Sequence, residues 1–131
     1  MLEVLLGIIV GLSMVVVTSR QRISGRLYSA SLISLPIIYV GFGILTQDTS
    51  VILHELVYGL PFIFVGILCL LNNFSYYPVA IFWLIHGGYD LYHDTFLING
   101  GVPGWYPVWC AVVDLVVGIW LLYLAFTQAK A

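Results

Sequence analysis

Long apolar stretches alternate with short polar segments along the whole chain. A membrane-spanning helix needs about 20 apolar residues, with about 17 as the lower limit. Five stretches meet this length, at residues 2–18, 27–46, 51–71, 78–96 and 106–126. The connections between them are short and polar or rich in glycine, which forces neighbouring helices to run antiparallel. The pattern predicts an all-α integral membrane protein, a compact bundle of five transmembrane helices that forms a single domain over residues 1–131.

Composition supports the membrane class and excludes several others. The chain is 62% hydrophobic and 8% charged, and its mean hydropathy of +1.08 lies far above that of soluble domains. A net charge of −2 without a basic run excludes nucleic acid as a partner. The first stretch lacks both a preceding basic region and a small-residue cleavage site, so we expect a retained span rather than a signal peptide.

The four cations predict the orientation of the bundle. Three arginines fall in the first connection and the lysine follows the fifth span, which places all of them on one side of a five-span chain. The positive-inside rule makes that side cytoplasmic. We therefore expect a multi-pass protein surrounded by membrane lipids, with the N-terminus outside and the C-terminus in the cytoplasm. The cations are Arg20, Arg22, Arg26 and Lys130.

The fourth stretch carries an unusual concentration of ionisable residues on one helical face. At 100° per residue, His86, Asp90 and His93 occupy an arc about 60° wide, and Asp94 extends it to about 100°. Ionisable residues inside membrane spans are costly and mark functional sites by default. Gly87 and Gly88 leave the backbone next to His86 uncovered, which permits close approach of another helix or of a ligand.

Two other stretches place polar residues at matching depth. His54 and Tyr58 share a face of the third helix, and Tyr106, Cys110 and Asp114 share a face of the fifth. With the predicted orientation, every acid and histidine falls in the outer half of the bundle. We expect a pocket there, and its further lining residues are Tyr58, Tyr89, Cys110, Trp105 and Tyr106.

Imidazoles and carboxylates in this arrangement are suitable ligands for a divalent metal such as Zn, Fe, Mn or Cu. We expect His86, Asp90 and His93 to be the principal ligands and His54 the fourth. Asp114, Glu55 and Asp94 are the candidate catalytic residues, which could orient the imidazoles or act as a general base. The spacing is not a named zinc signature, and both an interhelical hydrogen-bond network and a proton or ion path remain open for the same residues.

Three functions fit these features. A metal site reached from the bilayer favours an enzyme that hydrolyses, oxidises or reduces a lipophilic substrate in the outer leaflet. The alternative is a proton or metal-ion transporter or channel module that uses the same residues, with homo-oligomers expected. A structural or accessory membrane subunit is the third. Cys69 and Cys110 should lie about 20 Å apart along the bundle, too far for a disulfide.

Two stretches, HGGYDLYHD at 86–94 and VPGWYPVWCAVVDLVVG at 102–118, resemble a family of small uncharacterised bacterial integral membrane proteins. That family carries His-x-x-aromatic-Asp-x-x-His, then Val-Pro-x-Trp-Tyr-Pro, a Cys and Asp-x-x-Val-Gly. This chain has Tyr89 and Asp94 where the family has a tryptophan and a second histidine. The resemblance implies a bacterial inner (plasma) membrane and a shared polar site, and it implies no activity. The matching positions are His86, Tyr89, Asp90, His93, Val102, Pro103, Trp105, Tyr106, Pro107, Cys110, Asp114, Val117 and Gly118.

Overall fold

The computed structural model describes residues 1–20, 24–72 and 75–128, which form five α-helices. All five predicted helices are present, and the largest difference at a helix start is three residues, at α2 (27 against 24). Asp48 begins α3 as its cap, because its carboxylate accepts hydrogen bonds from the backbone N–H groups of Ser50 and Val51. The helices are α1 (Leu2–Ser19), α2 (Ser24–Thr46), α3 (Thr49–Leu71), α4 (Tyr76–Phe96) and α5 (Tyr106–Gln128).

Four of these helices, α1, α2, α3 and α5, are long and apolar enough to cross a membrane. The outside of the bundle is largely apolar, whereas most histidines and half of the acids are buried. Helix α4 is the exception in hydropathy, since it contains two histidines and two acids. This distribution is the reverse of a soluble protein and is typical of a membrane protein.

Helices α4 and α5 form one closely packed pair, and α2 and α3 form another. Gly87 of α4 lies against Asp114 of α5, and Leu84 of α4 lies against Gly118. Residue numbers therefore rise in opposite directions along the two helices, which confirms the predicted antiparallel arrangement for this pair. A short turn joins α2 to α3 and requires the two helices to run antiparallel. Gly59 of α3 packs against Pro36 of α2, as this arrangement requires.

Helix α1 covers the outside of α5 and runs parallel to it. A Cβ atom at Gly7 would meet Val112, and one at Gly11 would meet Val116, both within 2.9 Å. Both pairs are separated by the same number of residues, so the two helices point in the same direction. The Gly-x-x-x-Gly motif of α1 therefore serves packing within the chain.

Helix α4 is central, since it contacts α2, α3 and α5. The indole N–H of Trp83 donates a hydrogen bond to the carbonyl oxygen of Tyr28 at 3.2 Å. Phe62 of α3 meets the His86 ring edge-on, with 4.9 Å between the ring centroids. The most polar helix is thus surrounded by the more apolar ones.

Exposed acids and arginines lie at opposite ends of the bundle. We call the end where α3 begins and α4 ends the polar end, because Asp48 and Asp94 lie there. Arg20 and Arg26 lie at the opposite, cationic end, where α1 ends and α2 begins. Arg22 and Lys130 lie outside the described residues. Both cysteines are free, in agreement with the predicted separation along the bundle.

Candidate functional site

Four ligand-type side chains meet between α4 and α5, about halfway along the bundle. Each offers one donor atom, and these atoms all lie within 4.8 Å of one another. His86 and Asp90 are one turn apart on α4, and Cys110 and Asp114 are one turn apart on α5, so each helix contributes two residues from one face. All four are at most 2% exposed. We call these residues, His86, Asp90, Cys110 and Asp114, the central cluster.

The imidazole of His86 links the two acids of the central cluster. Its Nδ1 atom lies 2.7 Å from Oδ2 of Asp114, a short hydrogen bond between α4 and α5. The same Nδ1 lies 3.4 Å from Oδ2 of Asp90 on the next turn of α4. One imidazole edge therefore faces two carboxylates in a buried, apolar setting.

Gly87 makes this close approach possible. A Cβ atom there would lie 3.1 Å from Cβ of Asp114 and 3.2 Å from the carbonyl oxygen of Ala111. At Gly88 a Cβ atom would meet nothing within 4 Å. Of the two adjacent glycines, Gly87 is the one that brings α5 against the cluster.

Within the part of the chain that the structure describes, several buried polar atoms at the central cluster make no hydrogen bond, although Oδ2 of Asp90 keeps its 3.4 Å contact with His86. They are Nε2 of His86, both carboxylate oxygens of Asp90, Oδ1 of Asp114 and the Tyr39 hydroxyl. Burying polar groups without partners is costly, and such groups are rare outside functional sites. A cation bound among the carboxylates would compensate this cost. Nitrogen, sulfur and oxygen donors together suit a divalent transition metal, so the buried group is a candidate metal site.

A second set of contacts, which we call the outer network, lies between the central cluster and the polar end. Oε1 of Glu55 lies 2.9 Å from Nε2 of His93 and accepts a hydrogen bond from the Asn99 amide at 2.8 Å. Oε2 of Glu55 accepts one from the Tyr89 hydroxyl at 3.1 Å. The other ring nitrogen of His93 lies 3.4 Å from Oδ1 of Asp94, whose side chain is 85% exposed. These residues connect the buried interior to the surface.

Tyr39 of α2 lies between the two sets. Its ring stacks on the His93 ring, with 4.5 Å between centroids and 24° between planes. Its centroid is 6.2 Å from that of His86, and its side chain lies beside the Asp90 carboxylate. Tyr39 is therefore the common neighbour of the outer network and the central cluster.

The connection between α4 and α5 folds back over the outer network. The Asn99 side chain also donates to the carbonyl oxygen of Tyr39 at 3.3 Å. A Cβ atom at Gly101 would collide with the carbonyl oxygen of Phe42, so only glycine fits this close approach. These contacts hold the loop across the outer network.

The structure regroups the predicted ligands. His86 and Asp90 lie in the central cluster together with Cys110 and Asp114, which we had predicted as a pocket residue and a catalytic acid. His93 is bonded to Glu55 instead. His54 is exposed and its Nδ1 donates to the Ser50 carbonyl oxygen at 2.7 Å, so the predicted fourth ligand lies away from the cluster.

The physical reason is the rotation of α3 about its axis. Adjacent residues of a helix differ by about 100° in direction. Glu55, which is 1% exposed, faces α4, and this turns the neighbouring His54 outward. Glu55 is thus a buried partner of His93, and Asp48 caps the helix.

The other predicted pocket residues divide into two groups. Tyr106 is buried and its ring meets Tyr39 edge-on at 5.6 Å, and Tyr89 belongs to the outer network. Trp105 and Tyr58 are partly exposed, and Trp105 packs on Trp109 at 6.1 Å, away from the cluster. The residues that sequence reasoning missed are Tyr39 and Asn99.

Comparison with protein-family models, with curated proteins and with solved structures finds no match for this chain. The family resemblance stated above stays a prediction.

Proposed function

We propose that this chain is an integral membrane protein that binds a divalent metal ion in the central cluster. The observation that carries the proposal is the convergence of four ligand-type atoms within 4.8 Å in a site where buried carboxylate oxygens make no hydrogen bond to the described residues. Because one donor is a thiol and another an imidazole, Zn²⁺ or Fe²⁺ suits the set better than Mn²⁺.

Elemental analysis of the detergent-purified protein tests the proposal. Metal-replete expression should yield close to one metal ion per chain, and His86→Ala should remove it. Less than about 0.1 ion per chain, unchanged by His86→Ala, would contradict metal binding. Co²⁺ supplies a second readout, since a Co²⁺ ion held by the Cys110 thiolate absorbs in the near ultraviolet and Cys110→Ser should abolish that band.

The membrane placement that we propose has five crossings, with the N-terminus outside and the C-terminus in the cytoplasm of a bacterial inner membrane. Helix α4 runs between its neighbours as a crossing helix would, and their packing supplies the apolar cover that its own sequence lacks. The separation of Arg20 and Arg26 from the acids at the other end supports the orientation.

The activity that we propose for the centre is metal-assisted hydrolysis or redox conversion of a lipophilic substrate. Helices α3 and α4 pack less extensively than α4 and α5, and aromatic side chains lie along their outer contact. Tyr89 and Phe96 stack there at 6.0 Å, and Tyr58 is 38% exposed. A lipid-soluble molecule that enters between these helices would reach Tyr89, whose hydroxyl lies 3.1 Å from the candidate base Glu55.

A membrane lipid extract, incubated with wild type and with His86→Ala, tests this activity by comparison of the products. A product formed only by the wild type supports an enzyme. If the two extracts contain the same products although the wild type binds its metal fully, the chain would be better described as a structural or accessory subunit. The same conclusion would follow if the protein still assembles after the loss of His86.

Ion transport is the second candidate, and the acids and histidines between the polar end and the centre favour it. Among the described residues, the core continues toward the cationic end without acids or histidines, and it includes Val79, Val117 and Leu121, none of them exposed. A transported ion would have to cross this layer, so we prefer the enzyme. Metal or proton flux in reconstituted vesicles, abolished by Asp90→Asn, would reverse that preference.

A further inference from the structure

Ligand-type side chains form a continuous series from the surface at the polar end to the central cluster. Asp94 stands at the surface, and its carboxylate contacts His93 at 3.4 Å. His93 in turn contacts Glu55 at 2.9 Å, and both of these are buried. Asp90 of the central cluster follows one turn further inward on α4.

The spacing of this series suits stepwise movement of a cation. With a rise of 1.5 Å per residue, His93 lies about 4.5 Å along α4 from Asp90, and both lie within the same arc of about 60°. Asp90 and His93 are therefore less than one helical turn apart along the axis. A cation can be handed on without passing through a stretch that lacks donor atoms.

An unpartnered polar atom lies between the outer network and the central cluster. Tyr39 is 1% exposed, touches the rings of His93 and His86, and its hydroxyl has no hydrogen-bond partner. The Tyr39 side chain lies beside Asp90 of the central cluster. Its hydroxyl is independent of the Glu55 and His93 contact, and it provides an oxygen ligand at the intermediate position.

The opposite approach to the central cluster contains neither an acid nor a histidine in the part of the chain that the structure describes. Every described acid and histidine lies at the depth of the central cluster or nearer the polar end. Trp83 and Val117 lie on the other side within the apolar core. An ion that reaches the cluster therefore comes from the polar end.

We propose that Glu55 and His93 form an outer cation site, which takes up a divalent ion and passes it to the central cluster. This inference rests on the proposed metal binding. An ion at the outer site replaces the contact between Nε2 of His93 and Oε1 of Glu55, and the Glu55 carboxylate then gives up its hydrogen bond from Asn99. Asp94 attracts the ion to the entrance, since it is exposed and negatively charged.

The rate of Co²⁺ loading tests the outer site, because the near-ultraviolet band reports arrival at Cys110. Stopped-flow absorption compares the metal-free wild type with Glu55→Gln, which keeps the shape of the side chain and removes its charge. We expect loading about tenfold slower in Glu55→Gln, with the same final absorption. Asp48→Asn is the matched control, because Asp48 also lies at the polar end but is not one of the residues that lead to the central cluster. Co²⁺ should load into Asp48→Asn at the wild-type rate.

A second variant protects the test against misfolding. Asp94→Asn changes an exposed side chain and leaves the buried contacts in place, so it should fold normally and also load more slowly. Equal rates in all of these proteins would overturn the outer site. A folded Glu55→Gln protein that never reaches the wild-type absorption would overturn it as well, because Glu55 would then belong to the final site. Absence of the band in wild type would instead contradict the proposed metal binding itself.

Discussion

The Nε2 atom of His93 lies 2.9 Å from Oε1 of Glu55, and each of the two side chains is at most 1% exposed. This contact joins α4 to α3, two helices whose other contacts are mainly between aromatic rings. Polar contacts of this kind fix the alignment of membrane helices. Glu55 therefore contributes to the stability of the bundle as well as to the outer network.

Removal of the Glu55 carboxylate should destabilise the protein strongly. Glu55→Ala leaves His93, Tyr89 and Asn99 without their shared acceptor, and we expect a loss of about 3 kcal/mol in the free energy of unfolding. Glu55→Gln keeps an acceptor oxygen in place and should cost about 1 kcal/mol. Unfolding in mixed detergent micelles, followed by circular dichroism, measures both. Equal effects of the two variants would show that the acceptor is unimportant.

The three histidines should differ in their effect on metal content. His86→Ala removes a residue of the central cluster and should abolish binding, whereas His54→Ala changes an exposed side chain and should leave one ion per chain. His93→Gln should retain the ion at equilibrium, because its ring is bonded to Glu55 outside the cluster. Elemental analysis of the three purified variants checks this order. Loss of metal in His54→Ala would contradict the regrouping of ligands described above.

Gly87 and Gly88 provide a matched pair for the contact between α4 and α5. Gly87→Ala places a methyl group 3.1 Å from Cβ of Asp114 and should push α5 away from the cluster, at a cost of about 1–3 kcal/mol. The metal affinity should fall with it, because the donor atoms separate. Gly88→Ala meets nothing within 4 Å and should stabilise the helix by up to about 1 kcal/mol. The same unfolding assay, together with metal titration, separates the two outcomes.

The helices were predictable because apolar length and polar punctuation determine membrane spans almost by themselves. The position of the functional site was predictable for a related reason. His86, Asp90 and Asp114 are too polar for a lipid-facing position, so they had to face another helix. The sequence predicted a site shared by the third, fourth and fifth helices, and the structure brings His86, Asp90 and Asp114 together between α4 and α5.

Rotation of the helices was harder to predict. His54 and Glu55 are adjacent, and only one of them can face α4 when neighbours differ by about 100°. Both residues are of types that bind metal ions. Because α3 is apolar on most sides, its sequence shows no distinct hydrophobic face that would indicate which of the two points toward α4. Gly59 of α3 packs against Pro36 of α2, a contact between helices that the sequence of α3 alone does not reveal. This contact accompanies the rotation of α3 that turns Glu55 inward.

Tyr39 and Asn99 were missed because nothing near them in sequence indicates a site. Tyr39 stands in an apolar segment of α2 and is indistinguishable there from a lipid-facing tyrosine. Asn99 precedes two glycines and has the signature of a turn. Its contact with Glu55 spans 44 residues of the chain, a separation at which local patterns carry no information.

Cysteine labelling should determine the orientation of the bundle. Ser19→Cys places an exposed thiol at the last residue of α1, at the cationic end, and Thr49→Cys places one at the first residue of α3, at the polar end. Both substitutions keep every charged residue. Cys69 and Cys110 are buried, so the wild type should give little background. A membrane-impermeant maleimide applied to intact cells should label Thr49→Cys at once and Ser19→Cys only after permeabilisation, because the positive-inside rule assigns the arginines to the cytoplasm. The reverse order would place the polar end, and with it the entrance of the outer cation site, on the cytoplasmic side.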